Sequence, residues 1–327
     1  MEVKASLSFL KTPIHKVLDE QLDVDEINRA INEISTHFWG LIGLSEKMED
    51  LKHLAGIPSK AGLALSFNHA ADCLLDYNRT KLFLRGFVKA IKDKRQEHPN
   101  ETIQIFYAGC GPFAPFATLV APLFTPDEVQ FTLLEINSES LDSAKKIVKE
   151  LGLEAYIKEF HLADAITFKI PNPEKFHILF SETLDALLHR ECYVPILWNL
   201  LSQLPKEVIV VPNNVLVKQN FKVGEEEIFS KVVFDTRKSL QENKKTTELP
   251  EKLTPTFLSL KDADTYYSII LDTEVEIYKE YVLRRSDSSL TLALEIPIHK
   301  PITHKGVNFV YNLLPQPSLQ IEMVEHV

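Results

Sequence analysis

Two glutamates, Glu182 and Glu191, have the residue type and spacing of a site for a positively charged group. Glu182 comes just past the apolar stretch FHILF, which predicts a buried strand, and Glu191 follows nine residues later. If the segment between them doubles back as a hairpin-like loop, both carboxylates face one pocket. Two close carboxylates repel, and one takes up a proton unless a cation neutralises them. A guanidinium suits the pair because its planar fork of N–H donors matches carboxylates; solvated charges on a helix are the alternative.

A glycine-bearing turn supplies the second group of candidate residues. The segment IQIFYAGCGPF leads from an apolar strand pattern into Gly109 and Gly111, which allow a tight turn and a close approach of the backbone to a ligand. The next strand pattern, VQFTLLE, ends at Glu135, where an acidic side chain accepts hydrogen bonds from ribose hydroxyls. Asp164 lies just beyond the following strand pattern. Together these residues predict a site for a nucleoside-containing ligand, whereas the glycines alone also fit a structural turn.

Alternating strands and helices must position these residues. After the strand that starts at Ile103, we predict a helix over 114–123, a strand over 129–135, a helix over 138–151 and a strand over 155–160, and FHILF forms the next strand. This alternation is typical of a parallel α/β sheet, which binds ligands at the carboxyl ends of its strands. We therefore expect the acidic residues at the strand ends to share one edge of the sheet.

The sequence on either side of this segment predicts two flanking regions. Residues 1–62 form an N-terminal helical region, residues 63–208 a Rossmann-like domain, and residues 209–327 a β-barrel or sandwich domain. Within the Rossmann-like domain, LDALLHRECYVPILWNLLSQL is expected to be helical. Within the last domain, residues 224–264 are expected to be loops with one short helix, and this segment is either a homodimer contact or only a loop.

Charge and composition exclude several classes of protein. A net charge of −10 argues against nonspecific binding to nucleic acid or to an anionic membrane, because phosphate affinity needs clustered Lys and Arg. The three cysteines have no paired spacing and predict neither a disulfide framework nor a metal site. No apolar run is long enough for a membrane span, and no signal segment is evident. The sequence therefore predicts a cytoplasmic protein.

Three matches in order along the chain, and a fourth segment after them, give the sequence a family resemblance. LLDYNRT resembles the D-x-x-R-T helix of the protein arginine methyltransferases, a branch of the class I S-adenosylmethionine-dependent methyltransferases. GCG with Glu135 resembles their cofactor loop and ribose-binding acid, and Ser181-Glu182 with Glu191 resembles their double-glutamate loop in sequence and spacing. VVPNNVLV resembles the link into their β-barrel.

The resemblance implies a role for each matching residue. The cofactor S-adenosylmethionine would be bound through its methionine carboxylate, its ribose and its adenine by Arg79, Gly109, Cys110, Gly111, Glu135, Asp164 and Ala165. Glu182 and Glu191 would hold the guanidino group of an arginine-like or peptide substrate, and Asp76 with His304, if they meet, would accept the released proton. Replacing either glutamate by glutamine is then expected to lower activity severely and to leave cofactor affinity nearly unchanged.

The sequence also departs from the family pattern. Tyr107 occupies the place of the acid in the first strand, and Phe113 that of the last glycine of the loop. The segment between the two glutamates lacks the usual aromatic residue and glycine, and the barrel's T-H-W motif is at best echoed by Thr303-His304-Lys305, without tryptophan. Three functions are therefore open: methylation of a guanidino group, methylation of another nitrogen or oxygen of a small metabolite, and a methyltransferase-like fold that binds without catalysis.

Overall fold

A five-stranded parallel sheet forms the centre of the fold; in the chain, helices precede it and antiparallel strands follow it. The computed structural model describes residues 2–43, 54–243, 248–260, 265–302 and 304–325. The helices of the described residues are α1 (Glu2–Leu18), α2 (Val24–Ile42), α3 (Phe67–Asp72), α4 (Tyr77–Glu97), α5 (Pro115–Thr118), α6 (Ser138–Glu150), α7 (Tyr193–Leu201) and α8 (Thr236–Asn243). Their strands are β1 (Ile57–Ser59), β2 (Gly62–Ala64), β3 (Ile103–Ala108), β4 (Val129–Glu135), β5 (Ile157–Leu162), β6 (Ile178–Ser181), β7 (Ile209–Val211), β8 (Asn214–Val223), β9 (Glu226–Asp235), β10 (Thr256–Ser259), β11 (Ser268–Tyr278), β12 (Tyr281–Leu283), β13 (Leu294–Pro297), β14 (His304–Asn312) and β15 (Ser318–Glu325).

The central sheet has the strand order β5-β4-β3-β6-β7, and all its strands are parallel. Strands β3, β4 and β6 consist mainly of apolar residues that are buried, as expected where both faces of a sheet are covered. The register aligns their carboxyl ends, because Ala108 lies opposite both Leu134 and Ser181, and Glu135 lies opposite Leu162. The predicted α/β fold class, with N-terminal helices and a C-terminal β region, is confirmed.

Aromatic packing fixes α4 against β6. The ring of Phe180 lies 4.5 Å from that of Phe87, 4.7 Å from that of Phe116 and 4.9 Å from that of Tyr107, measured between centroids. Phe83, one turn before Phe87, also packs against Phe180. All these rings are buried, so the contacts combine burial of apolar area with favourable ring geometry. The first turn of α4 is thereby held beside the end of β6.

Helix α2 packs against the turn after β3. Its N-cap Asp23 accepts a hydrogen bond from the N–H of Asp25 at 2.9 Å, and its apolar residues at helical spacing are buried. Phe38 and Trp39 each place their rings 5.3 Å from the ring of Phe113. Phe113, which stands where the protein arginine methyltransferase pattern has a glycine, therefore packs against α2 and holds it on the glycine turn.

Three predicted helices are wrong in extent. The helix expected over 114–123 is reduced to α5 and a short 3-10 turn, because Pro122 cannot donate a backbone hydrogen bond there. The helix expected from Leu184 begins only at Tyr193, and Leu187 and Leu188 before it have positive φ angles. The N-terminal helical region assigned to residues 1–62 also extends too far, because its residues 57–62, with residues 63 and 64, form the β1–β2 hairpin. In the described ranges, no helix combines the length and the apolar character that crossing a membrane requires.

The C-terminal strands form two antiparallel sheets. One has the order β12-β11-β8-β9, with β13 also paired to β11, and the other has the order β10-β14-β15. The expectation of loops over 224–264 is wrong for Glu226–Asp235, which is strand β9 at the edge of the first sheet, and for Thr256–Ser259, which is strand β10, while the short helix is α8. Charged residues are common on such an edge because they discourage pairing with a further strand, and they concealed the strand in the sequence.

A buried carboxylate joins α4 to the first of these sheets. Asp93 accepts hydrogen bonds from Lys89 on its own helix and, across the interface, from Lys279 at 2.5 Å and from Tyr278 at 3.1 Å. Although burial opposes the shift, hydrogen bonds from Lys279, Lys89 and Tyr278 lower the pKa of Asp93 to about 2. The ionised form is therefore the one that stabilises this interface.

Replacing Asp93 by asparagine is expected to lower the free energy of unfolding at pH 7 by about 1 to 2 kcal/mol, allowing for the solvent exposure of Lys279. A depressed carboxyl pKa stabilises the fold above the unfolded value of 3.8, and the effect is lost as the pH falls toward about 2. Urea unfolding at pH 7 and pH 3 measures the difference, which should shrink at pH 3. Asp142→Asn, which removes an exposed pair with Lys145, is the control and should change stability by less than about 0.5 kcal/mol.

Candidate functional site

A cleft at the carboxyl edge of the parallel sheet brings the candidate residues together. It encloses about 1010 Å³ when the open space at its mouth is included. Nine of the residues singled out in the sequence line it: Arg79, Gly109, Cys110, Gly111, Glu135, Asp164, Ala165, Glu182 and Glu191. Asp76 and His304 are not among the described residues that line it.

The Glu135 carboxylate holds the glycine turn in place. Its Oε2 accepts a hydrogen bond from the N–H of Gly111 at 2.8 Å, and its Oε1 accepts from the N–H groups of Ile136 at 2.8 Å and Asn137 at 2.9 Å. Burial raises the pKa of Glu135, while these three backbone donors oppose the rise. Since a carboxylate offers about four acceptor positions, one position on Oε2 is left for a ligand hydroxyl.

Arg79, from the first turn of α4, forms a buried ion pair with Glu182. Its Nε lies 2.6 Å from Glu182 Oε1, its Nη2 lies 3.5 Å from the Glu182 carbonyl oxygen, and the two side chains are 5% and 9% exposed. Burial raises the pKa of Glu182, and the positive charge of Arg79 opposes the rise. The charge of Glu182 raises the pKa of Arg79 despite its burial. The α4–β6 packing positions both partners.

Glu191 faces the cleft at the far end of the loop that begins at Glu182. In the described part of the chain its carboxylate accepts no hydrogen bond, whereas Arg79 neutralises Glu182. The pKa of Glu191 is raised to about 8, mainly by burial. The positive charge of Arg79 opposes the rise, whereas the negative charges of Asp185 and Glu182 add to it. The carboxylates therefore differ: Glu182 is paired, and Glu191 is protonated near neutral pH until a cation arrives.

The loop between the two glutamates is held by its own carboxylate and by the C-terminal strands. Asp185 accepts hydrogen bonds from the N–H groups of His189 at 2.9 Å and Arg190 at 3.1 Å. The N–H of Leu187 donates to Thr273 Oγ1 at 2.8 Å, and the Tyr311 hydroxyl donates to the Leu188 carbonyl oxygen at 3.1 Å. The loop doubles back as the spacing suggested, but without the helix that its leucines indicated.

The β1–β2 hairpin forms part of the cleft wall, which sequence reasoning missed. Lys60 N–H in its turn donates to Asp164 Oδ2 at 2.7 Å, and Asp164 Oδ1 accepts from Ile166 N–H at 2.9 Å. Cys192 Sγ lies 3.1 Å from the Ala61 carbonyl oxygen and 3.3 Å from Ser59 Oγ. Asp164 therefore fixes the hairpin as well as the end of β5. The residues Gly56-Ile57-Pro58-Ser59, a glycine and a proline two positions apart, are a local turn signal that points to this segment.

All three cysteines of the chain line the cleft. They are free thiols, and burial raises the pKa of each, to about 11 for Cys73 and Cys192 and well above the usual value for Cys110. Thiols with such pKa values are neutral at physiological pH and are weak nucleophiles. The three cysteines therefore contribute small, uncharged side chains to the wall of the cleft.

Tyr107 and Phe113, the two departures in the glycine turn, leave the cleft open. Both are buried beneath it, and the Tyr107 hydroxyl donates to the Cys110 carbonyl oxygen at 3.4 Å. Burial raises the pKa of Tyr107 well above its usual value, so the phenol is neutral. The tyrosine thus supports the turn from below by a hydrogen bond.

Asp76 and His304, the predicted proton acceptors, lie outside the cleft wall. Asp76 Oδ2 accepts hydrogen bonds from the N–H of Ser289 at 2.8 Å and from its hydroxyl at 2.6 Å, which ties the start of α4 to a 3-10 turn before β13. His304 is the first residue of β14 and pairs with Glu325 of β15. These contacts do not support the expectation that Asp76 and His304 together accept the released proton, because the two residues lie in different parts of the fold.

A cluster of side chains of the types that bind metal ions lies at the opposite edge of the sheet, where the parallel strands begin. His98, Glu101 and His177 place one ligand atom each within 4.8 Å of one another. The N–H of Gln104 donates to His177 Nδ1 at 3.0 Å, so the neutral ring carries its proton on Nε2. Burial and the nearby His98 lower the pKa of His177, which favours this neutral form. A metal-binding histidine usually donates from its other nitrogen, so this geometry argues against a metal ion.

Comparison with solved structures identifies the fold. Protein arginine methyltransferase 10 of Arabidopsis thaliana, described as a uniquely open conformation, matches with a TM-score of 0.52 and 11% identity over 78% of this chain and 97% of that chain. The fold is that of a protein arginine methyltransferase. The PRMT1 enzyme–prozyme heterotetrameric complex of Trypanosoma brucei with AdoHcy matches with a TM-score of 0.48 and 11% identity over 79% of this chain and 98% of that chain. By sequence, no protein-family model matches the chain, and no curated protein matches it.

The glycine turn lies against the loop between Glu182 and Glu191, and Gly109→Ala tests this contact. Gly109 has a φ of +73°, and an alanine Cβ there would lie 2.3 Å from Thr183 Cγ2. We expect the substitution to lower the free energy of unfolding by about 3 kcal/mol, from backbone strain and overpacking together.

Gly224→Ala is the matched control for this measurement. Gly224 has a similar φ of +60° but no atom within 4 Å of the added Cβ, so only the backbone strain of about 1 kcal/mol is expected. Urea unfolding of both variants separates the two contributions. Equal losses of stability would contradict the close approach of Thr183.

Proposed function

We propose that this protein is an S-adenosylmethionine-dependent methyltransferase that methylates a guanidino group, either of free arginine or of arginine in a peptide or protein. The observation that carries the proposal is that Glu182 and Glu191 line the same cleft as the glycine turn and Glu135. The fold, which resembles that of a protein arginine methyltransferase, agrees with this activity. A guanidino acceptor is favoured because the cleft holds two carboxylates and only one of them is neutralised by the chain's own arginine.

The residues of the cleft fit the proposed cofactor. Glu135 Oε2 retains an acceptor position for a ribose hydroxyl, and the backbone of Gly109 and Gly111 allows a ligand to approach closely. Arg79 would bind the methionine carboxylate, and Asp164 or Ala165 would contact the adenine. When bound, the cofactor supplies an activated methyl group.

The two glutamates would bind and orient the acceptor. A delocalised guanidinium is a poor nucleophile, and two fixed carboxylates can localise its positive charge away from the attacking nitrogen. The buried ion pair of Arg79 with Glu182 supports the choice of acceptor, because a guanidinium already binds one of these carboxylates. Holding donor and acceptor in contact supplies much of the remaining rate enhancement. Glu191, with a pKa near neutrality, is suited to take up the proton released by the acceptor.

Mass spectrometry with an isotopically labelled methyl donor tests the proposal. The protein is incubated with the labelled cofactor and, in parallel, with cell metabolites, arginine and arginine-containing peptides. Label on a guanidino nitrogen is the expected result. Label on another nitrogen or oxygen would favour a different small-molecule acceptor, and no label despite S-adenosylhomocysteine binding would favour a binding protein without catalysis.

Replacing Glu191 by glutamine is expected to lower methyl transfer to an arginine acceptor by about 10²-fold or more, because one of the two charges that orient the guanidinium is removed. Cofactor affinity should remain nearly unchanged. Initial rates and calorimetric titration with S-adenosylhomocysteine measure the two effects separately. Glu154→Gln, an exposed site, is the control for a change of one charge. Normal methylation by the Glu191 variant would contradict the guanidino proposal.

The rate should also depend on pH through Glu191. Its raised pKa of about 8 means that the carboxyl group is neutral at lower pH and ionises as the pH rises. Because a cationic acceptor needs the ionised form, kcat/KM for the acceptor is expected to increase roughly tenfold per pH unit below 8 and to level off above it. A pH–rate profile from 6 to 9 measures this, and residual activity of Glu191→Gln should lack the rise. A flat wild-type profile would contradict the role of Glu191.

A further inference from the structure

The guanidinium of Arg79 already binds Glu182, one of the two glutamates that are proposed to hold the substrate's guanidino group. Its Nε and Nη2 contact Glu182 at 2.6 and 3.5 Å, and both side chains are almost fully removed from solvent. A charge-assisted hydrogen bond between buried partners of opposite charge is strong, and an arriving group must compete with it. Glu182 is therefore already partly occupied in the structure.

The charges around the two glutamates do not balance. Among the described residues, the charged groups that act most strongly on Glu182 and Glu191 are Arg79, Asp76 and Asp185, and only Arg79 is positive. Moving Arg79 away from Glu182 would expose an unneutralised carboxylate in a poorly solvated site, which is unfavourable without a new cation. The position of Arg79 thus controls how strongly this end of the cleft attracts a cationic acceptor.

The same guanidinium lies next to the glycine turn. The charges of Arg79, Glu182 and Glu135 all act on the buried phenol of Tyr107, which donates to the Cys110 carbonyl oxygen within the turn. Arg79 therefore lies between the double-glutamate loop and the part of the cleft assigned to the cofactor. Its Nη1 contacts no acceptor in the described part of the chain, so it is the point at which an arriving anion can first contact the guanidinium.

Building on the proposed function, we infer that Glu182 and the carboxylate of the cofactor compete for Arg79. When the cofactor binds, its carboxylate draws Arg79 from Glu182, and the charge of Glu182 becomes available to the guanidino acceptor. Cofactor and acceptor then strengthen each other's binding, and the effect must be equal in both directions because it is a coupling free energy. Arg79 is in this respect a positioning residue for the acceptor site as well as a cofactor ligand.

The competition changes the expectation for one of the two glutamates. Glu182→Gln keeps the size of the side chain but removes the charge that competes for Arg79, so S-adenosylhomocysteine should bind roughly fivefold or more tightly to this variant than to wild type. Methylthioadenosine lacks the amino-acid carboxylate and should bind both proteins equally. Glu191→Gln is the matched control, since Glu191 makes no hydrogen bond to Arg79, and it should change neither affinity by more than about twofold.

Calorimetric titration of the three proteins with the two nucleosides decides the question. Tighter binding of S-adenosylhomocysteine alone, by Glu182→Gln alone, is the expected result. Unchanged or weaker binding to this variant would overturn the inference and leave the proposed function standing. If wild type binds neither nucleoside, the proposed function itself fails.

A measurement on the wild-type protein keeps the inference testable should Glu182→Gln not fold. An acetylated and amidated Gly-Gly-Arg-Gly-Gly peptide is titrated into the protein with and without saturating S-adenosylhomocysteine. The peptide should bind about tenfold more tightly when S-adenosylhomocysteine is present, because Glu182 is then released from Arg79. Equal affinity in the two titrations would contradict the competition for Arg79.

Discussion

The buried ion pair between Arg79 and Glu182 is the interaction on which the rest of the site depends. Burying two charges is unfavourable unless each finds a partner in good geometry, so the elements that carry them must be held accurately. Helix α4 carries the arginine, and the end of β6 carries the glutamate. The aromatic cluster around Phe180, which joins these two elements, supplies that accuracy.

The two carboxylates of the site are chemically distinct although their residue types are the same. Glu182 is neutralised by an arginine, whereas Glu191 is partly buried without a hydrogen-bonding partner in the described residues and has a pKa raised to about 8. The guanidino acceptor proposed for this site would supply the missing positive charge. This asymmetry agrees with the separate roles proposed for them, in which Glu182 would couple acceptor binding to cofactor binding and Glu191 would take up the proton.

Aromatic residues replace two residues of the family pattern at the glycine turn, and each has a structural reason. Phe113 provides the surface against which Phe38 and Trp39 of α2 pack, and Tyr107 supports the turn through the Cys110 carbonyl oxygen. Both lie below the cleft. The turn keeps its conformation because Glu135 binds the N–H of Gly111, a contact that needs neither the family acid nor the last glycine.

The sequence by itself determined the succession of strands and helices, the glycine turn and the placing of Glu135, Asp164 and Glu182 at strand ends, because these follow from local periodicity and from the rule that parallel strands end at one edge. Tertiary structure decided the pairing of Arg79 with Glu182, residues 103 positions apart in the chain. It also decided the contact of the β1–β2 hairpin with Asp164 and Cys192, and the non-helical loop before α7, where contacts from Thr273 and Tyr311 override a helical pattern. Such features arise from partners distant in sequence, whose approach no local pattern encodes.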